Sequence, residues 1–293
     1  MERMTHASLF SGIGGAELAA SWMGWENLFH CEINPFGLQV LRYWFPESKE
    51  YNDITKADFT EWRGRVDVLT GGFPCQPFSV AGQRKGADDE RYLWPQMCRV
   101  IEEVQPRYVV GENVAGITTM VEPVEDAKVG ELPHLFGEAD DIHQKRERYT
   151  LDRVCGDLAA RGYAVQPVII PALAVGAPHR RDRVWVIAKL APDARSDEQQ
   201  GRVLAKEAAH AVPEPRKLHA REMPRPDFKE FPSQPPLCGG DDGFSVGLAD
   251  APLYEGRKSR WVVECLKALG NAWCPQVAYE IFRAIGEDNM NLT

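Results

Sequence analysis

Apolar and polar positions alternate along the first 190 residues in blocks that change period from two to about 3.6, the pattern of an α/β protein with a parallel sheet. Ala7–Phe10 reads as a first strand that runs into Ser-Gly-Ile-Gly-Gly, with a helix over Ala16–Met23 behind it. Asn27–Cys31 reads as a second strand and Phe36–Trp44 as the next helix, stopped by Pro46. A short third strand is expected just before Asp53. Val66–Leu69 and Tyr108–Val110 read as strands ending at Gly71-Gly72 and at Gly111-Glu112-Asn113, with helical sequence over Tyr92–Val104 between them. A helix over Asp152–Arg161, closed by Gly162, precedes strands at Ala164–Ile170 and Arg183–Ala188.

After Lys189 the periodicity is lost. From Ala191 to about Gly256 the chain is rich in Pro, Gly and charge, which fits either a small irregular domain or a long linker. Helical period returns at Arg260–Leu269 and Pro275–Ile285, where Val277, Ile281 and Ile285 share a face. A chain that regains regular structure at its end usually rejoins its main domain. The expected division is therefore 1–190 plus 261–293 for the main domain and 191–260 for the second.

Composition changes this picture little. A hydrophobic content of 44% and a charged content of 26% are ordinary for a globular chain of 293 residues. No run of eighteen apolar residues suggests a membrane span, and the apolar stretch after Met-Glu-Arg-Met-Thr is too short for a signal peptide and lacks its cleavage site. Seven scattered cysteines without a Cys-x-x-Cys pair suggest neither a disulfide framework nor a zinc site, so a reducing cytoplasm and no metal are expected. The net charge of −9 argues mildly against nucleic acid as partner of the whole surface. Residues 202–229 nevertheless carry seven basic side chains against four acidic ones, which is either a local basic surface or a solvated face.

Four stretches could carry chemistry. In Phe10-Ser-Gly-Ile-Gly-Gly15, glycines at a strand end let the backbone approach a nucleotide-like ligand. Glu17 stands where the dinucleotide fingerprint has its third glycine. Glu32, at the end of the second strand, is placed to accept from ribose hydroxyls, and Asp53-Ile54 to hold an adenine amino group and ring. An adenosyl cofactor without phosphate fits this set better than NAD. Second, Gly71-Gly-Phe-Pro-Cys-Gln-Pro-Phe-Ser79 holds Cys75 between two stiffening prolines at a strand end. A deprotonated thiol there could be a nucleophile, although most free cysteines are small buried hydrophobes. Third, Glu112 at the next strand end could act as an acid or bind a ring nitrogen, unless Glu-Asn is simply a surface turn. Fourth, Arg181 and Arg183 alternate at the start of a strand and would share a face, where two guanidiniums could hold a phosphate and a carbonyl.

Taken in order, Phe-Ser-Gly-Ile-Gly-Gly, Glu32, Asp53-Ile54, Gly-Gly-Phe-Pro-Cys-Gln-Pro-Phe-Ser, Glu-Asn-Val, Arg-x-Arg at 181–183 and Ala268-Leu-Gly-Asn-Ala272 closely resemble the DNA (cytosine-5) methyltransferase family. The resemblance implies a doubly wound, mostly parallel sheet of the S-adenosylmethionine-dependent methyltransferase type, with a smaller irregular target-recognition domain. It implies S-adenosylmethionine as cofactor, S-adenosylhomocysteine as product, and a flipped-out cytosine in duplex DNA as acceptor. By this likeness Cys75 adds to carbon 6 of the base and Glu112 engages ring nitrogen 3. Arg183 would contact the base carbonyl, and Arg181 the nearby backbone or the Cys75 loop. Cofactor-contacting positions carry over to Phe10, Ser11, Gly12, Ile13, Gly14, Gly15, Glu32, Ile33, Asp53, Ile54, Phe73, Leu93, Asn271 and Ala272. Gln76, Ser79 and Arg84 fall in a loop, about 76–94, that would close over DNA. A bacterial or phage-encoded monomer is expected, with a cognate restriction endonuclease as an optional second partner and no membrane. The same chemistry on a tRNA cytosine is the alternative.

The sequence departs from the family pattern in places. His179 stands where the family usually has Gln, and Ile33 where an aromatic often covers the adenine, which implies aliphatic packing. Gln144-Lys-Arg-Glu-Arg148 imitates the Gln-x-Arg-x-Arg motif but is followed by helical sequence, whereas Arg183-Val-Trp-Val-Ile-Ala supplies the expected strand. Residues 118–150 then form an insertion that could touch DNA.

Overall fold

The computed structural model describes residues 3–74, 93–123, 127–132, 140–144, 147–191 and 258–290. Its centre is a sheet in the order β10-β11-β5-β4-β1-β2-β3. The strands are β1 (Thr5–Leu9), β2 (Glu26–Cys31), β3 (Lys49–Tyr51), β4 (Val68–Gly71), β5 (Tyr108–Val114), β10 (Tyr163–Pro171) and β11 (Asp182–Leu190). The pairs β1–β2, β1–β4, β2–β3 and β4–β5 are parallel, while β11 runs antiparallel to both β5 and β10. The order reverses beside β1, so a crevice opens outside the carboxyl ends of β1, β2, β4 and β5.

The sheet is buried on both faces because successive strand residues are apolar on each side. Leu69, Val109, Val184 and Val186 join Trp94, Met97 and Ile101 of α3 (Trp94–Val104) and Leu158 of α4 (Thr150–Ala159). Val68, Val110 and Trp185 face the other way, toward Ala16 and Ala19 of α1 (Gly15–Trp22) and toward α6 (Pro275–Met290). From α6 come Val277, Ile281, Phe282 and Ile285, so the final helix packs against the sheet. The remaining helices, α2 (Pro35–Trp44) and α5 (Lys258–Asn271), meet through Phe36, Val40 and Cys265. Among the described residues, no helix is long and apolar enough to cross a membrane.

Several boundaries differ from the sequence reading. β5 does not stop at Val110 but runs to Val114, because β11 pairs along it through Glu112↔Trp185 and Asn113↔Val184. α3 starts at Trp94, with Pro95 in its first turn, rather than at Tyr92. The 118–150 insertion holds two antiparallel ladders, β6 (Val121–Pro123) with β9 (Glu147–Tyr149) and β7 (Ala127–Leu132) with β8 (Asp140–Gln144). The second domain expected over 191–260 lies almost wholly outside the described residues.

A polar cluster sits beneath the glycine loop. Ser8 of β1 donates to Glu17 Oε1 of α1, and Glu17 is fully buried with Oε2 lacking a hydrogen-bond partner among the described residues. Nearby, His6 bridges Asn27 Oδ1 (2.6 Å) and Thr70 Oγ1 (3.0 Å). Burial pushes the Glu17 carboxyl up to about 7, against smaller opposing hydrogen bonds from Ser8 and Ser11. Its folded value is raised, so its contribution to stability is complete below pH 4.5 and is lost as pH rises through about 7. A Glu17→Gln variant should therefore gain on wild type by about 3 kcal/mol between pH 4.5 and 7, read by denaturant unfolding across that range.

Candidate active site

The carboxyl ends of β1, β2, β4 and β5 open into a cavity of about 1150 Å³. The first strand enters it through Phe10, held at φ 55 in the left-handed region that a bulky residue occupies only under constraint. Glu32 closes the second strand. Its Oε2 accepts from Gly12 N (2.6 Å) and its Oε1 from Asn34 N (2.7 Å). Burial raises its carboxyl from the ordinary value, while those backbone N–H groups pull it down. Asn34 also caps α2 by accepting from Phe36 N (2.8 Å), with Pro35 in the first turn.

Contact between the glycine loop and α2 leaves no room for a side chain at Gly37. A Cβ there would lie 2.5 Å from Gly12 O and 3.1 Å from Glu32 Cγ. Gly37→Ala should displace the loop and lower affinity for any ligand of this pocket by roughly tenfold, measured by calorimetry, with a stability loss of about 1–3 kcal/mol.

Further along the rim, Ile54 is buried while Ile33 is 71% exposed, an apolar side chain presented to the cavity. Asp53 binds Lys56 Nζ (2.8 Å) and Thr55 Oγ1 (2.7 Å), and Lys56 first and Thr55 next hold its carboxyl down at about 2. Leu93 and Gln96, at the start of α3, complete this end.

The other end is built from β4, β5 and β11. Gly72 follows β4, and a Cβ there would sit 2.8 Å from Trp273 Nε1 and 3.9 Å from Glu112 Oε2. Phe73 packs on Trp94 with ring centroids 4.8 Å apart, and its carbonyl accepts from Asn113 Nδ2 (2.9 Å). Pro74 lines the cavity. Cys75 is the next residue in the chain and lies outside the described residues, as do Gln76, Ser79 and Arg84. Glu112 reaches the same space from β5, and Arg183 Nε of β11 lies 3.0 Å from its Oε1. The two meet as charges, since Oε1 has no properly angled hydrogen bond among the described residues. Burial raises the Glu112 carboxyl from its ordinary value, and Arg183 and then Arg181 oppose the rise.

Of the residues expected at the site, Phe10, Gly12, Glu32, Ile33, Asp53, Ile54, Phe73, Leu93, Asn271, Glu112 and Arg183 come together in this one cavity. Others do not line it. Ser11 bonds Ser8, and Ile13 packs against the α2–α5 contact. Gly14 and Gly15 face inward, where a Cβ would meet Phe45 at 2.6 Å and Trp273 O at 2.8 Å.

Arg181, expected on the nearby backbone or the Cys75 loop, holds backbone. It stands before β11 with φ 35, so the alternation argument that put it on the Arg183 face does not reach it. Its Nη2 instead donates to Gly270 O (3.0 Å) and Ala272 O (2.6 Å), bracing the end of α5 on either side of Asn271. His179 is exposed. The imitation motif is excluded by topology, because Arg148 pairs with Glu122 in the β6–β9 ladder, away from the main sheet. The sequence reading missed Asn113 and Asn34, although Asn34-Pro35 is a helix-start signal, and it missed Lys267 of α5.

The family model for C-5 cytosine-specific DNA methylase matches residues 4–126 and 139–232. The chain belongs to that family. Among curated relatives, Type II methyltransferase M.Eco47II of Escherichia coli is 32% identical over 187 residues, covering 63% of this chain and 39% of that protein. Type II methyltransferase M.PspPI of Psychrobacter sp. is 35% identical over 163 residues, covering 51% of this chain and again 39% of the relative. The chain thus matches well under half the length of these relatives. Among solved structures it is similar to the S. pombe Dnmt2 methyltransferase, with 20% identity, a TM-score of 0.48, and coverage of 64% of this chain and 51% of that one.

Proposed function

We propose that this chain transfers a methyl group from S-adenosylmethionine to carbon 5 of a flipped-out cytosine in duplex DNA. The observation that carries the reading is the single cavity in which the adenosyl-binding set and the Glu112–Arg183 pair adjoin, with Pro74 delivering the chain to Cys75. The residues present fit the cofactor. Gly12 lines the cavity with nothing within 4 Å of where its Cβ would stand, leaving room for a ligand, and Ile33 offers exposed apolar surface to a ring. When bound, S-adenosylmethionine supplies an electrophilic methyl group.

Cytosine carbon 5 is a poor nucleophile until the ring is attacked elsewhere. The Cys75 thiolate adds to carbon 6, and its electron pair makes carbon 5 an enamine carbon that takes the methyl. Burial raises the Glu112 carboxyl and so favours the protonated form, which donates to ring nitrogen 3 and neutralises the charge that develops there. Arg183 orients the carboxyl and faces the base carbonyl. Loss of the carbon 5 proton then expels the thiolate and restores the aromatic ring. The base must leave the stack for these groups to reach it, at a cost of a few kcal/mol. Target recognition belongs in this reading to residues 191–260, and a cognate endonuclease is a partner of the kind a Type II system uses.

Methyl transfer to duplex DNA and to tRNA, compared in one assay with labelled cofactor, tests the substrate. Label in the duplex alone supports the proposal, and label in tRNA alone would replace it with the alternative.

A further inference from the structure

We infer that Lys267 on α5 is the counter-ion for the amino-acid carboxylate of the cofactor. The inference rests on the proposed cofactor and on a division of the cavity. A sulfonium carries three arms. With the adenosyl arm assigned to Ile33, Asp53 and Ile54 and the methyl to Glu112, the lining residues left for the amino-acid arm include Gly12, Asn34 and those of α5. Its carboxylate needs a cation or a set of donors there.

Among the described residues three basic side chains line the cavity: Lys56, Arg183 and Lys267. Two are committed inside it. Lys56 Nζ lies 2.8 Å from Asp53 at the adenosyl end, and Arg183 Nε lies 3.0 Å from Glu112 at the reacting end. Lys267 alone of the three is paired with a residue that does not line the cavity. Its partner is Glu264, 3.2 Å away and one turn earlier on the same helix, which does not line the cavity. A pair of that kind, with the lysine side chain 64% exposed, is weak and readily exchanged for a ligand carboxylate. The helix end that carries Lys267 is fixed from two directions. Ala268 packs with Ile13 and Phe36 beside the glycine loop, and Arg181 holds the carbonyls of Gly270 and Ala272. Lys267 is therefore a binding residue on a rigid platform, with no part in proton transfer.

Calorimetric titration with S-adenosylhomocysteine and with 5′-methylthioadenosine, which lacks the amino-acid arm, tests this. Lys267→Met should weaken S-adenosylhomocysteine roughly tenfold or more and leave 5′-methylthioadenosine unchanged. Lys267→Arg, which keeps the charge, should retain most of the homocysteine-adduct affinity. Unchanged affinity for S-adenosylhomocysteine in Lys267→Met, or an equal loss for both ligands, would overturn the assignment. If the wild-type chain binds neither ligand, the cofactor reading itself fails, and this inference with it.

Discussion

Cys75→Ser should lose methyl transfer by a factor on the order of 10⁴ or more while binding S-adenosylhomocysteine with wild-type affinity. A thiol ionises near pH 8.5, so a useful fraction is thiolate at neutral pH, whereas a serine hydroxyl stays protonated without a dedicated base. Sulfur is also the more polarisable nucleophile for a ring carbon. The described contacts that hold the approach to residue 75 come from Gly72, Phe73 and Asn113. Phe73 remains stacked on Trp94 and bonded through its carbonyl to Asn113, and Gly72 remains against Trp273. Loss of turnover without loss of cofactor binding separates chemistry from folding. Equal activity in the serine variant would remove covalent addition from the mechanism.

Glu112→Gln should lower turnover about 10²–10⁴-fold, again with little change in cofactor affinity. Glutamine fits the same space and keeps an N–H donor for ring nitrogen 3, but it cannot neutralise the ring by giving up a proton. It also leaves Arg183 facing a neutral amide in place of the carboxylate 3.0 Å away. The pH profile adds a second readout. Burial raises the Glu112 carboxyl, so the protonated form persists to higher pH and is lost as pH rises through the raised value. The Cys75 thiolate is gained in the same direction. Wild type should therefore show a bell-shaped dependence of kcat/KM on pH, and the Gln variant should lack the alkaline limb that Glu112 sets.

How much of this was legible in the sequence depended on the kind of signal. Strands buried on both faces, such as Val66–Leu69 and Arg183–Ala188, were read nearly in place because their apolar runs are continuous. The end of β5 was not, since Gly111-Glu112-Asn113 reads locally as a turn and beyond Gly111 is held extended by β11, paired from about seventy residues away. The cavity could be named residue by residue from motifs at strand ends, because an open α/β sheet brings those ends together whatever the loops do. Motif membership did not say which residues face the ligand. Gly14 and Gly15 are glycines for packing against Phe45 and Trp273, and Arg181 is an arginine for two carbonyls of α5. Lys267 carries no local pattern, and Asn113, although inside the Glu-Asn-Val motif, was not read as lining the cavity. Each matters only through what the fold sets beside it, the pocket wall for one and the Phe73 carbonyl for the other.

Bisulfite sequencing of DNA from cells that express this chain tests the central claim most directly. The account predicts that cytosines within one recurring sequence context resist conversion in cells expressing the wild type, and that this protection disappears with Cys75→Ser. Full conversion with a folded, cofactor-binding wild-type chain, or equal protection by the serine variant, would contradict it.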